Sequence, residues 1–167
     1  MTKILITLIL VLVMCGAPSI VMASDVVDVE ILNFGIYKAD FIKKEDAAGA
    51  AAGYKNIVRN VALIEQTTNI PARVGTRFGF EYVIKGSPAG STIDLTYKYL
   101  HPRMSNPKTN QAFTSQEIVS KNREIGRAAT ITYTFDYEWE AVVGEWTVQI
   151  FYAGKKLAEK NFYIYKP

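Results

Sequence analysis

Four stretches of the chain alternate apolar and polar residues with a period of two. Phe78, Phe80, Tyr82 and Ile84 alternate with Gly79, Glu81, Val83 and Lys85, and Ile93, Leu95, Tyr97 and Tyr99 with Thr92, Asp94, Thr96 and Lys98. Ile131, Tyr133, Phe135 and Tyr137 alternate with Thr130, Thr132, Thr134 and Asp136, and Trp146, Val148, Ile150 and Tyr152 with Glu145, Thr147, Gln149 and Phe151. Successive side chains of a strand point to opposite faces, so each stretch predicts a strand with one oily and one largely polar face. Such strands build sheets packed on one side and wet on the other.

Weaker strands fill the rest. Val27, Val29 and Ile31 share one parity and Phe34 and Ile36 the other, which predicts a bulge near Leu32 and Asn33. Leu157 and Phe162 differ in parity in the same way and predict a second bulge within 156–165. Residues 56–65 carry apolar residues on both parities, as in a strand buried on both faces. Residues 113–123 read equally as strand or short helix. Turns are expected at Ser87-Pro88-Ala89-Gly90, at Val143-Gly144 and at Ala153-Gly154, where glycine supplies positive φ. Ala39–Tyr54 contains a run of alanine and glycine with little bulk to pack, and predicts a mobile surface loop. His101–Asn110, with two prolines and several polar turn formers, predicts another loop. About eight strands at this spacing predict an all-β sandwich of seven to nine mostly antiparallel strands, with a small β-barrel as the alternative.

The first residues read differently. Lys3 precedes an apolar run over Ile4–Met14, Gly16 and Pro18 break it, and Val21-Met22-Ala23 places small or β-branched residues before Ser24. This is the pattern of a signal peptide over 1–23, cleaved between Ala23 and Ser24, leaving one domain over 24–167. Ile4–Ala23 is barely long enough for an uncleaved anchor, and Leu12-Val13-Met14-Cys15 matches a lipid-attachment motif only in part, because Met14 is not small. The expected location is the periplasm or the outside of the cell, with no stable membrane span after leader removal.

Composition narrows the chemistry. The chain has 167 residues and a net charge of +3, of which Lys3 is the leader's only contribution. Acids and bases are interleaved, as in Lys43-Lys44-Glu45-Asp46, so no basic stripe points to nucleic acid. The one cysteine, Cys15, lies in the leader, so the remainder holds no disulfide and no thiolate nucleophile.

Candidate catalytic groups are few. His101 is the single histidine and has no second imidazole to share a metal. No Gly-x-Ser-x-Gly elbow and no phosphate-binding glycine loop occurs. Gly75-Thr76-Arg77-Phe78-Gly79 lacks the required lysine, and Gly79 reads as a site of close backbone approach. Glu138 and Glu140 flank Trp139 and would share one face of a strand, the arrangement an acid pair needs. Tyr97, Tyr99, Tyr133, Tyr137, Trp139 and Trp146 read first as core. Off-parity Phe151 and Tyr163 would join a binding patch if exposed. The expectation is no catalytic residue, no cofactor and no metal.

Three segments carry a family resemblance: Ile70-Pro71-Ala72-Arg73-Val74-Gly75-Thr76-Arg77-Phe78-Gly79-Phe80 with Tyr82–Pro88, Trp139–Trp146, and Gly154–Phe162, together with Glu30–Tyr37. In this order they resemble the bacterial family catalogued as domain of unknown function 3859. Val143 stands where that pattern leads one to expect proline. The resemblance implies an exported, immunoglobulin-like sandwich and supplies no catalytic residues. The function expected is a non-enzymatic interaction module whose partner is an envelope protein or a glycan. A hydrolase of envelope polymers using Asp/Glu pairs, or a purely structural accessory domain, is the alternative.

Overall fold

The structure, a computed structural model, describes residues 25–167. The leader, Cys15 and the Ala23–Ser24 cleavage site lie outside the described residues. Nine strands form two sheets. They are β1 (Asp25–Asp46), β2 (Tyr54–Glu65), β3 (Asn69–Pro71), β4 (Arg77–Ser87), β5 (Thr92–Asn106), β6 (Gln111–Glu124), β7 (Ala128–Thr134), β8 (Gly144–Tyr152) and β9 (Lys155–Tyr165). One sheet has the order β2-β1-β4-β7 and the other β3-β9-β8-β5-β6. All pairings are antiparallel except β3 with β9.

The period-two pattern places the core. Phe78, Phe80, Tyr82 and Ile84 of β4 face Leu95, Tyr97, Tyr99, Trp146, Val148 and Ile150 of the opposite sheet, all buried. Trp146 is wholly enclosed, with the rings of Phe78, Phe135, Tyr133 and His101 within 6 Å of it. Its indole N–H donates to the Val142 carbonyl at 3.1 Å, so the one polar atom of the largest core residue is satisfied. Across the sheets, the hydroxyls of Tyr82 and Tyr97 meet at 2.6 Å.

The expected bulges are present. Register shifts between Ile31 and Asn33, and between Ile150 and Phe151 opposite Ala158 and Lys156. Gly79 is a close-approach site: a Cβ there would sit 2.0 Å from the Ile131 carbonyl oxygen. The β8–β9 hairpin turns on Ala153 and Gly154, both at positive φ.

Three expectations are corrected. The first concerns Ala39–Tyr54. At 22 residues, β1 would span about 70 Å if straight. Its first half, Asp25–Tyr37, pairs with β4, and its second half, Ile36–Asp46, overhangs the sheet and pairs with β2. Three register shifts in the overhanging ladder, each adding twist, curl this β1–β2 arm. Its tip docks on the edge of the opposite sheet. Ala51 N–H donates to Gln116 Oε1 (2.7 Å), Asn106 Nδ2 to the Ala51 carbonyl (3.0 Å) and Glu117 N–H to the Gly49 carbonyl (3.2 Å), and Ala50 and Ala51 are buried. The small side chains there permit backbone docking. A Cβ on Gly49 would lie 1.8 Å from the Glu117 carbonyl oxygen.

The second concerns His101–Asn110. β5 continues through Asn106, and only the tight turn before Gln111 is a loop: the Asn106 side chain donates to the Ala51 carbonyl of the arm tip and accepts Lys108 N–H within the turn. The third concerns 56–65. This strand is an edge, half-buried toward the sandwich over Tyr54–Val58 and exposed at its far end, and it is not buried on both faces. The ambiguous segment 113–123 is strand, within β6.

Candidate functional site

The curled arm leaves a slot of about 290 Å³ between itself, the edge of β7 and the edge of β6. β2 supplies Asn56, Val58 and Val61. β5 and β6 supply Tyr97, Tyr99, Gln116, Ile118 and Arg123, and β7 supplies Thr130–Thr134. Arg77, Asp136 and Glu140 complete the wall. A second hollow of about 580 Å³ lies on the concave side of the arm, where Phe41 and Ile64, both exposed, form its rim. It shares Asn56, Arg77, Thr134 and Asp136 with the slot.

Asp136 fastens the arm. Tyr54 hydroxyl donates to its Oδ2 at 2.9 Å, and Asn56 Nδ2 lies 3.0 and 2.8 Å from its two oxygens. Lys44 Nζ sits 3.7 Å from the centre of the Tyr54 ring. Glu140 closes the turn that follows β7: its Oε2 accepts Asp136 N–H (2.6 Å) and Tyr137 N–H (3.1 Å). Burial pushes its carboxyl up to about 7, outweighing the two N–H donors that favour the charged form.

The cations of the slot are less well served. Arg77 is half-buried, donates to Thr132 Oγ1 at 3.0 Å and makes no salt bridge among the described residues; desolvation lowers its pKa, against the opposing pull of the Asp136 carboxylate. Arg123 donates to Ser120 Oγ at 2.6 Å and likewise makes no salt bridge among the described residues. Two buried side-chain atoms, Asn56 Oδ1 and Thr134 Oγ1, lack a hydrogen-bond partner among the described residues, and both belong to residues shared by the two hollows. A buried polar atom left unpaired in a native fold asks for a partner from outside the chain, water or ligand.

The residues singled out from sequence fall elsewhere or play other parts. His101 lies in β5, buried, its ring 4.7 Å from that of Trp146; Nδ1 contacts the Pro102 carbonyl at 2.8 Å and Nε2 meets Gln116 Nε2 at 3.3 Å. Burial lowers its pKa. No group of three or more His, Cys, Asp or Glu suited to a metal occurs among the described residues. Glu138 and Glu140 do not share a strand face, because Glu138–Glu140 forms a 3-10 turn that exposes the first and buries the second. Tyr163 is exposed and Phe151 half-buried. Arg77, Asp136, Tyr54 and Asn56 were missed: each reads as an ordinary polar position, and nothing local signals that Asn56 and Asp136, 80 residues apart, will meet.

No curated protein matches the chain. Among solved structures it is similar to an immunoglobulin-like protein from Pseudomonas aeruginosa. That match is 26% identical, covers 88% of this chain and 100% of the other, and has a TM-score of 0.60. The two-sheet architecture is thus immunoglobulin-like, and the slot is a side opening of that sandwich spanned by the arm. Residues 25–164 match the family described as domain of unknown function DUF3859, and the chain belongs to that family.

Proposed function

We propose that the domain is an exported, non-enzymatic interaction module acting in the periplasm or outside the cell, and that it takes its partner in the slot between β7 and the arm. The observation that carries this is the convergence on one opening of two guanidinium groups without ion pairs and two buried polar atoms without partners. Binding sites concentrate such groups against apolar walls, here Val58, Ile118 and Ile131. The signal-peptide pattern of 1–23 supports the location.

An envelope protein fits the slot better than a glycan. Of the rings that line the slot, Tyr97 and Tyr99 are buried, Tyr133 packs on Phe78, Phe135 and Trp146, and Tyr54 already carries Lys44 on its face, so none offers a free face for a sugar to stack on.

A second reading, hydrolysis, has one observation in its favour: Asp136 and Glu140 line the same cleft, and the carboxyl of Glu140 is held near neutrality. Both carboxylates, however, are engaged as acceptors within the fold.

The test is capture from an envelope extract by immobilised residues 24–167, compared between Thr130→Trp, which fills the slot, and Thr147→Trp, which adds equal bulk on β8. Loss of the captured protein with the first variant alone supports the slot. Equal capture by both places the partner elsewhere.

A further inference from the structure

The four sheet edges are not equally defended. β2 carries Lys55, Arg59 and Glu65 and has a broken register. β3 is three residues long and ends in proline. β6 carries Glu117, Lys121, Arg123 and Glu124, and the arm tip bonds to it. These are the usual devices against strand addition. β7 has none of them: Ala128-Ala129-Thr130-Ile131-Thr132-Tyr133-Thr134 contains no charge and no proline, and its ladder with β4 is unbroken.

The ladder also fixes which groups β7 leaves free. Phe135 N–H donates to the Thr76 carbonyl, and antiparallel pairing alternates, so Tyr133, Ile131 and Ala129 point their backbone groups at β4. Thr130, Thr132 and Thr134 turn theirs into the slot. Accordingly, the Thr132 carbonyl accepts the Tyr99 hydroxyl there, at 3.4 Å.

Two cations flank this edge. The Arg77 guanidinium donates to Thr132 Oγ1 beside it, and Arg123 of β6 lines the slot opposite Thr130–Thr134.

Resting on the slot as the binding site, we propose that β7 receives an extended segment of a partner polypeptide as an added strand, with acidic residues of that segment meeting Arg77 and Arg123. Main-chain hydrogen bonds to Thr130, Thr132 and Thr134 would hold the segment, and the cations would set its register. The occupant is a peptide strand because the groups β7 turns outward are alternate backbone N–H and C=O, and it is acidic because the two guanidinium groups beside that edge make no salt bridge among the described residues, whereas Asp136 already accepts from Tyr54 and Asn56.

The probe is a fluorescein-labelled eleven-residue peptide alternating valine and threonine, with glutamate at its third and eighth positions. Two companions differ from it: one has lysine for glutamate, the other has N-methyl groups on alternate amides. Thr132→Pro removes one outward N–H and leaves the β4 ladder intact. Fluorescence anisotropy should show the acidic peptide binding, at least tenfold weaker binding to Thr132→Pro and by the N-methylated peptide, and severalfold weaker binding to Arg77→Gln. The lysine peptide should not bind. Undiminished binding of the N-methylated peptide, which needs no protein variant, overturns the proposal, as does failure of the acidic peptide to bind. If the acidic peptide fails while Thr130→Trp still abolishes capture from the extract, strand addition is wrong and the slot stands. If Thr130→Trp has no effect either, both are wrong.

Discussion

Glu140 is where single-residue chemistry has the sharpest consequence. It is buried, yet its carboxylate closes the turn that positions Asp136. Its pKa is 4.5 in an ordinary environment and about 7 here, so between those values the folded chain holds more protons than the unfolded one. Stability therefore falls as pH rises from about 4.5 to about 7 and is level above. The full loss is about 3 kcal/mol. Glu140→Gln keeps an acceptor for the two N–H groups and removes the titration. Between pH 5 and pH 8 the wild type should lose stability relative to the variant, read as the change in the difference between their melting temperatures. His101 acts in the opposite sense: burial lowers its pKa, so stability drops as pH falls below its ordinary value of about 6.5. His101→Gln should flatten that acid-side loss in the same measurement. A third expectation concerns the centre of the core. Trp146→Ala should cost about 3–5 kcal/mol and lower the melting temperature accordingly, because the cavity would open among four rings that cannot collapse together.

Elements were legible in the sequence where one face is buried and one is wet. Phe78–Ile84, Ile93–Tyr99 and Trp146–Ile150 obey the period-two rule along their length, and the bulges at Leu32 and Leu157 are visible as changes of parity. The arm was not legible, for a physical reason. Alanine and glycine carry no periodic signal, and a segment that docks through its backbone looks in sequence like one that does not dock at all. The site was illegible for a related reason: Asp136, Asn56 and Tyr54 become a latch only when β1 curls, and curling is set by register shifts no motif announces. The latch predicts its own test. Asp136→Ala removes the acceptor for Tyr54 and Asn56, about 2 kcal/mol in all. Amide hydrogen exchange should accelerate roughly tenfold or more over residues 38–61, while the amides of Phe78–Ile84 keep their protection. Equal exchange in both segments would mean that the tip contacts alone hold the arm.

For the molecule as a whole, two sheets, one core and no cysteine in residues 24–167 describe a domain whose folding owes nothing to oxidation. Its stability should be the same with and without reductant in a denaturant titration. The leader pattern makes a separate claim, checked by N-terminal sequencing of the protein recovered from the source cell: the expected first residue is Ser24, and a retained Met1 or a lipid on Cys15 would replace the leader by an anchor.

The docked tip of the arm also bears on which positions can drift. Surface turns ordinarily accept insertions and added bulk, and at the β8–β9 turn nothing lies within 4 Å of a Cβ on Gly154, so its positive φ and not its surroundings limits what it accepts. The β1–β2 turn is limited by its surroundings. At Gly49 a single methyl group would collide with the Glu117 carbonyl, and Ala50 and Ala51 are buried against the opposite sheet, Ala51 held there by hydrogen bonds at both its N–H and its carbonyl. In a library sampling every residue at every position, the blandest stretch of this sequence should be among its least tolerant.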